Sequence, residues 1–417
     1  MEEDSLLTPI VIVVSLLFIA ALSAIIVKKI RLPYTVGLVL VGIGLGFLIT
    51  RVPALHPMQD LELSREIILY LILPTLLFDA AINIQIKILL KDLVPILILA
   101  TLGLLISTAV VGFAMGQLSP LTMGTALLFG ALISATDPVA VIALFKELGV
   151  NKRLSTLVDG ESLFNDATAI VTFNIILGLV MVTGGLGEHP VGSAISNFML
   201  VFFGGLLVGL ALGAMLVGLL RLAGDDIFAQ IALTSVIAYV AFIVADHFLQ
   251  VSGVMAVVGA GVLSAWRARQ VLNEEVRRYI GHYWEYAAFV ANSLIFLLIG
   301  LTEYDLFADL GRYGDIGLFV LMAIAAVLIA RALVVYGLTP VTNRLTRGEQ
   351  VPRPYQHVMF WGGLRGAIPL ALVLGLPRDF EQRTLLLDLT LGVVLFSLLI
   401  QGTTINKLLQ ALQLNRD

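Results

Sequence analysis

Apolar runs of roughly span length alternate with short polar links along the whole chain. Thirteen runs can be marked, near residues 7–27, 34–50, 63–86, 93–115, 121–144, 154–182, 194–221, 227–249, 252–268, 283–301, 315–338, 356–376 and 385–410. A helix needs about 20 apolar residues to cross the hydrocarbon of a bilayer, so the pattern predicts an all-α polytopic membrane protein of about thirteen transmembrane helices. The longest basic links, 267–282 and 339–355, are too short to fold alone. The chain therefore reads as one membrane unit, and its function is expected within the spans.

Composition sharpens this picture. Of 417 residues, 59% are hydrophobic and 13% charged, whereas soluble domains carry about 25% charged residues. There is no cysteine, which excludes disulfides, thiolate metal sites and thiol nucleophiles. The five histidines (His56, His189, His247, His282 and His357) show no paired helical spacing suited to a metal. A net charge of −4 gives no indication of a nucleic-acid partner. With the N-terminus outside, eighteen Lys and Arg residues fall on the cytoplasmic side, among them Arg31, Lys146, Lys152, Arg153, Arg347 and Arg416. The outside receives five: Arg51, Arg65, Arg312, Arg378 and Arg383. The positive-inside rule then orients the chain N-out and C-in.

An acidic residue at the centre of a span costs about 2.5–3.5 kcal/mol on insertion scales, so those present are functional candidates. In "LISATDPVAVIALF" (132–145), Asp137 precedes Pro138 in the fifth run. Proline removes a backbone donor and clashes with the preceding turn, so the helix is expected to break there. "FWGGLRGAIPLALVLG" (360–375) is its counterpart in the twelfth run, with Gly362, Gly363 and Gly366 before Pro369 and Arg365 at the break. Two interrupted segments, one in each half of the chain, are the mark of a transporter site built on inverted repeats. The sixth run opens with "VDGESLFNDATAIVTF" (158–173). Residues four apart share a helix face, so Glu161 stacks with Asn165 and Ser162 with Asp166. Counting back from "TGGLGEH" puts Asp166 about two turns inside the span, while Asp159 reads as a solvated residue at the cytoplasmic end. Arg331 in "VLIARALVVY" needs an acidic partner if buried, with Glu161 preferred and Asp79, just after Pro74, second. Asp246 and His247 read as interfacial at the outer end of the eighth run. Gly205, Gly209 and Gly213, four apart, read as a helix-packing face.

"SATDPVAVIALFKELGV", "GESLFNDA" and "WGGLRGAI", in this order and with an arginine in the eleventh run, resemble the cation–proton antiporters of the NhaP/NHE branch. The resemblance covers essentially the whole membrane part. It implies an antiporter fold in which two discontinuous helices cross near the membrane midplane. It also implies a homodimer, with ion-translocation elements at about 63–182 and 283–376 and a dimerisation domain from about 7–50, 194–268 and 385–410. By resemblance, Asp166 binds either the cation or the proton, with Asn165 as its partner. Ser162, the Thr136 backbone and Asp137 complete the transported-Na⁺ site. Glu161 pairs with Arg331, Asp79 borders the site, and Arg365 serves the second break. The implied activity is exchange of Na⁺ or Li⁺ for H⁺ at one-to-one stoichiometry in a prokaryotic inner (plasma) membrane, without a cofactor and without enzymatic chemistry. Asn165 stands where electrogenic relatives carry a second aspartate.

The residues agree with that chemistry independently. Hard cations prefer oxygen ligands, and burial of a carboxylate favours its protonated form, so protons compete there with a cation. K⁺/H⁺ exchange by the same fold is the alternative. An intramembrane aspartyl protease would use Asp137 and Asp166 as its pair, but the chain lacks a GxGD signature and Arg331 would have no role. A channel would need a continuous pore, whereas paired breaks suit alternating access.

Overall fold

A computed structural model describes residues 4–30, 34–52, 67–183, 191–224, 226–302, 314–346, 349–377 and 379–414. The start of the third expected span at 63–66, and His56, His189, Arg31, Arg65, Arg312, Arg347, Arg378 and Arg416, lie outside the described residues. Among the described residues thirteen helical elements follow one another, seven of them long and apolar enough by themselves to cross a membrane: α1 (Asp4–Ile30), α2 (Tyr34–Ile49), α3 (Ile68–Asn83), α4 (Leu93–Leu118), α5 in two halves, α6 (Lys152–Thr183), α7 (Val191–Leu222), α8 (Ile227–Phe248), α9 (Gly253–Val271), α10 (Glu274–Thr302), α11 (Ile316–Leu345), α12 in two halves, and α13 (Arg383–Ala411). The described residues contain no strand.

Both expected interruptions are present. The first half of α5, α5a (Met123–Ser134), begins at Thr122, whose side chain accepts the Thr125 amide, and ends four residues before α5b (Val139–Leu148). Gly149 closes α5b in the left-handed region, at φ 66°, a conformation glycine adopts without steric cost. Likewise α12a (Arg353–Trp361) and α12b (Ala367–Leu374) are separated by the Gly362–Gly366 segment. Smaller adjustments occur as π-helical turns, one of which (Ile68–Ile72) immediately precedes Pro74 in α3. An extra residue in the turn absorbs the donor that proline lacks.

One expected link is not a loop. Residues 267–282 are helical except at Leu272 and Asn273. Asn273 accepts the Val276 amide through its side chain at 2.8 Å, and Glu274 and Glu275 fill the first turn of α10. A capping side chain and acids at the positive end of the helix dipole start α10 about two turns earlier than hydropathy alone indicates. The glycine face of α7 behaves as expected. Cβ atoms added at Gly205, Gly209 and Gly213 would meet the backbone of Ser252, which caps α9, and of Ala256 and Ala260 within it, so these glycines set a close crossing.

Candidate ion site at the helix crossing

The two breaks are joined to each other. The Asp137 amide donates to the Leu364 carbonyl oxygen at 2.8 Å. The Asp137 carboxylate accepts the Val139 amide at 3.0 Å, and it also accepts the amide of Ala367. Val139 and Ala367 are the first residues of α5b and α12b. One carboxylate therefore sits at two helix N-termini, where unpaired amides and the macrodipoles favour negative charge. The opposite polarity is met at the end of α5a. Arg365 donates through Nη1 to the carbonyl oxygens of Ser134 and Ala135 at 3.0 and 3.1 Å. Its amide is held by Ser397 Oγ of α13 at 3.0 Å. Arg365 thus caps the C-terminus of a half-helix.

Against this crossing lies α6, whose start is fixed by the Asn151 side chain accepting the Arg153 amide at 2.8 Å. Ser162 donates to the Thr136 carbonyl oxygen. Asn165 donates through Nδ2 to Ser134 O and Thr136 Oγ1, each at 3.3 Å. The next residue, Asp166, lines a cavity of about 1080 Å³ together with Thr136, Asp137 and Ser162. Among the described residues, Asp166 Oδ1 and Asn165 Oδ1 are buried oxygens with no hydrogen-bond donor. Carboxyl and amide oxygens without a donor, beside the Ser162 hydroxyl and the Thr136 oxygens, form a donor set suited to a hard monovalent cation or a proton.

The preferred ion pair is present as well. Both guanidinium Nη atoms of Arg331 face the two carboxylate oxygens of Glu161, Nη2 to Oε2 at 3.0 Å. Arg331 also donates from Nε and Nη2 to the Met359 carbonyl oxygen at 3.2 and 2.8 Å. Both residues are buried. A bidentate fork with its remaining donors satisfied is the geometry in which a buried pair is tolerated, and here it ties α6, α11 and α12a together.

Asp79 lies on the wall of the same cavity and accepts Asn83 Nδ2 at 2.7 Å; it is not the partner of Arg331. Asp159 corrects an expectation. It is in the second turn of α6, half-buried on the cavity wall, rather than solvated before the helix. Ser155, Asp159, Ser162 and Asp166 all line the cavity, and their four-three-four spacing is the signal in the sequence that would have placed Asp159 there. A second ion pair, half-buried, has no signal in the sequence. Arg153 grips Asp92 through Nε and Nη2 at 2.9 and 2.8 Å and reaches the carbonyl oxygens of Glu349 and Gln350. Sixty-one residues separate its members, and no helical spacing links them.

A model of the transmembrane sodium/hydrogen exchanger family matches residues 14–411. Among curated relatives, the Na⁺/H⁺ antiporter ApNhaP of Aphanothece halophytica is 37% identical over 391 residues, which are 93% of this chain and 71% of the relative. The low-affinity Na⁺/H⁺ antiporter NhaS1 of Synechocystis sp. is 38% identical over 405 residues, covering 96% of this chain and 73% of the relative. The fold is similar to that of the sodium proton antiporter MjNhaP1 from Methanocaldococcus jannaschii, with a TM-score of 0.74 at 22% identity over 98% of both chains. With the family model spanning nearly the whole chain and these relatives covered over most of their length, the protein belongs to the sodium/hydrogen exchanger family.

Proposed function

We propose that this integral membrane protein exchanges Na⁺ or Li⁺ for H⁺ by alternating access, with Asp166 as the exchanging carboxylate. One observation carries the reading: Asp166 faces a large cavity beside two crossed helix breaks, with a buried oxygen that no described residue satisfies. Ser162, the Thr136 oxygens and Asn165 supply neutral oxygens around it, and Asp137 adds the second charge. The cavity is rimmed by Asn83, Lys146, Asn151 and Lys152, at the basic ends of the helices. With N-out, C-in topology this is the cytoplasmic side, and the cavity is the inner access route.

In the same reading the chain works as a homodimer in a prokaryotic plasma membrane, and the elements around the crossing move against the rest. The moving unit takes in α4–α6, α11 and both halves of α12; α3 and α10, expected within it from the sequence, pack on α9 and α2, and the proposal leaves them with the other unit. Helix α13 packs on α11 and α12b and is tied to Arg365, so the proposal carries it with the site instead of with the dimerisation helices. The test is dequenching of a pH-sensitive dye in proteoliposomes on separate addition of Na⁺, Li⁺ and K⁺. Saturable dequenching with Na⁺ and Li⁺ is expected. A response to K⁺ alone would replace the substrate, and no response to any of the three would refute the reading.

A further inference from the structure

The site cavity has a smaller neighbour. About 530 Å³ of space lies between α3, α6, α7, α8, the start of α9 and α12b. Three helices run from one cavity to the other. On α3 the boundary falls between Leu73, which lines the larger cavity, and Tyr70, which lines the smaller. On α6 it falls between Asp166 and Ile170, and on α12b between Pro369 and Leu372. These steps of three or four residues correspond to about 4.5–6 Å of helix rise. The partition is therefore about one helical turn thick on each of three helices, and Asp166 stands against it. The smaller cavity lies at the ends of α3 and α6 remote from Lys146 and Lys152.

Among the described residues its one acidic lining residue is Asp246, held in a π-helical turn at the end of α8. The Tyr70 hydroxyl donates to Asp246 Oδ2 at 3.0 Å. Gln250 donates to the carbonyl oxygens of Asp246 and His247 at 3.2 and 2.9 Å, which holds the turn in shape. Asn174 and Asn197 present further polar groups on the facing walls. A thin partition, a polar chamber behind it and an acid on the chamber wall make a pathway for a small cation; a packing defect would be lined by apolar groups throughout.

We infer that this smaller cavity is the opposite-side access route to Asp166, and that Asp246 is its cation-recruiting carboxylate, which no part of the exchange chemistry itself requires. A lone carboxylate in a low-dielectric chamber raises the local concentration of a cation. The inference rests on the alternating-access reading for its purpose, but its geometry is testable without transport.

The native chain has no cysteine, so single thiols can be introduced directly. Asn174→Cys and Asn197→Cys report on the smaller cavity, and Ser155→Cys, also on α6, reports on the larger. A membrane-impermeant cationic thiol reagent added to right-side-out cells is expected to label the first two and spare the third. Inverted vesicles should reverse the pattern. Labelling of Asn174→Cys and Asn197→Cys from the Ser155 side, or from neither side, would overturn the route. Asymmetric labelling in a chain that exchanges no cation would keep the route and refute the function. In a chain that does exchange, Asp246→Asn is expected to raise the apparent KM for Na⁺ offered on the Asn174 side by on the order of tenfold with kcat retained. An unchanged KM would remove Asp246 from the pathway.

Discussion

The amide of Asp137 and the carbonyl oxygen of Leu364 are hydrogen-bonded at 2.8 Å across 227 positions of sequence, so each helix break is completed by the other. Gly366 shows how close this contact is, since a Cβ there would fall on the Asp137 carboxylate. Gly366→Ala is expected to force the breaks apart, lower the Tm of the purified protein and reduce exchange by at least tenfold. Gly317→Ala on α11 is the control, because a Cβ at Gly317 meets nothing within 4 Å. Equal behaviour of the two variants in thermal unfolding and dye-dequenching assays would show that the crossing tolerates separation.

Asp166→Asn keeps the size of the side chain and removes the group that both titrates and ligates. Exchange is expected to vanish while expression, Tm and oligomeric state stay as in the native protein. Because Asp166 Oδ1 makes no hydrogen bond to a described residue, little stability is lost with the charge. Native-like flux in the purified variant would reassign the site.

The Glu161–Arg331 pair gives a stability prediction. Removing one partner of a buried, hydrogen-bonded pair costs about 3–5 kcal/mol, because the other charge is left uncompensated. Glu161→Ala and Arg331→Ala should each lower thermal stability sharply, and the double variant should recover part of the loss. Arg331 keeps its bonds to the Met359 carbonyl oxygen, so Glu161→Ala should be the milder single change. Strictly additive losses in a double-mutant cycle would show the two uncoupled.

Much of this arrangement was legible in the sequence because the signals were local. Pro138, and the three glycines before Pro369, interrupt apolar runs at single positions, and Glu161, Ser162, Asn165 and Asp166 occupy successive turns of one helix. What escaped was set by tertiary contact. The pairing of Arg365 with Ser134 and Ala135 depends on how α12 crosses α5, and that of Arg153 with Asp92 on how α6 meets the start of α4. Counting the span back from residue 183 leaves Asp159 outside it, whereas its spacing from Asp166 places it on the cavity face. Asp246 stands at the end of α8, where hydropathy put it, but hydropathy does not record the chamber beside it.

Exchange is expected to be electroneutral, one cation for one proton, and the reason is the way each acid is held. The Asp137 carboxylate accepts amides at two helix N-termini, and these travel with it. Glu161 is fixed by the fork of Arg331. Asn165, beside Asp166, accepts no proton. Asp159 is seven residues from Asp166 along α6, about 10 Å away, and Asp79 is engaged by Asn83 on another helix; neither shares a ligand with the exchanging carboxylate. One group is left to carry H⁺ in one direction and Na⁺ in the other, so both journeys move the same charge. The membrane potential, worth about 2.3 kcal/mol per charge per 100 mV, then does no net work on the cycle. Na⁺-driven proton flux in proteoliposomes should keep the same rate when valinomycin and K⁺ clamp the potential at zero or at −100 mV. A rate that follows the clamp, or a current on a solid-supported membrane matching net charge transfer, would mean that a second acid releases its proton together with Asp166. Asp159→Asn and Asp79→Asn, tested one at a time for abolition of that current, would then identify it.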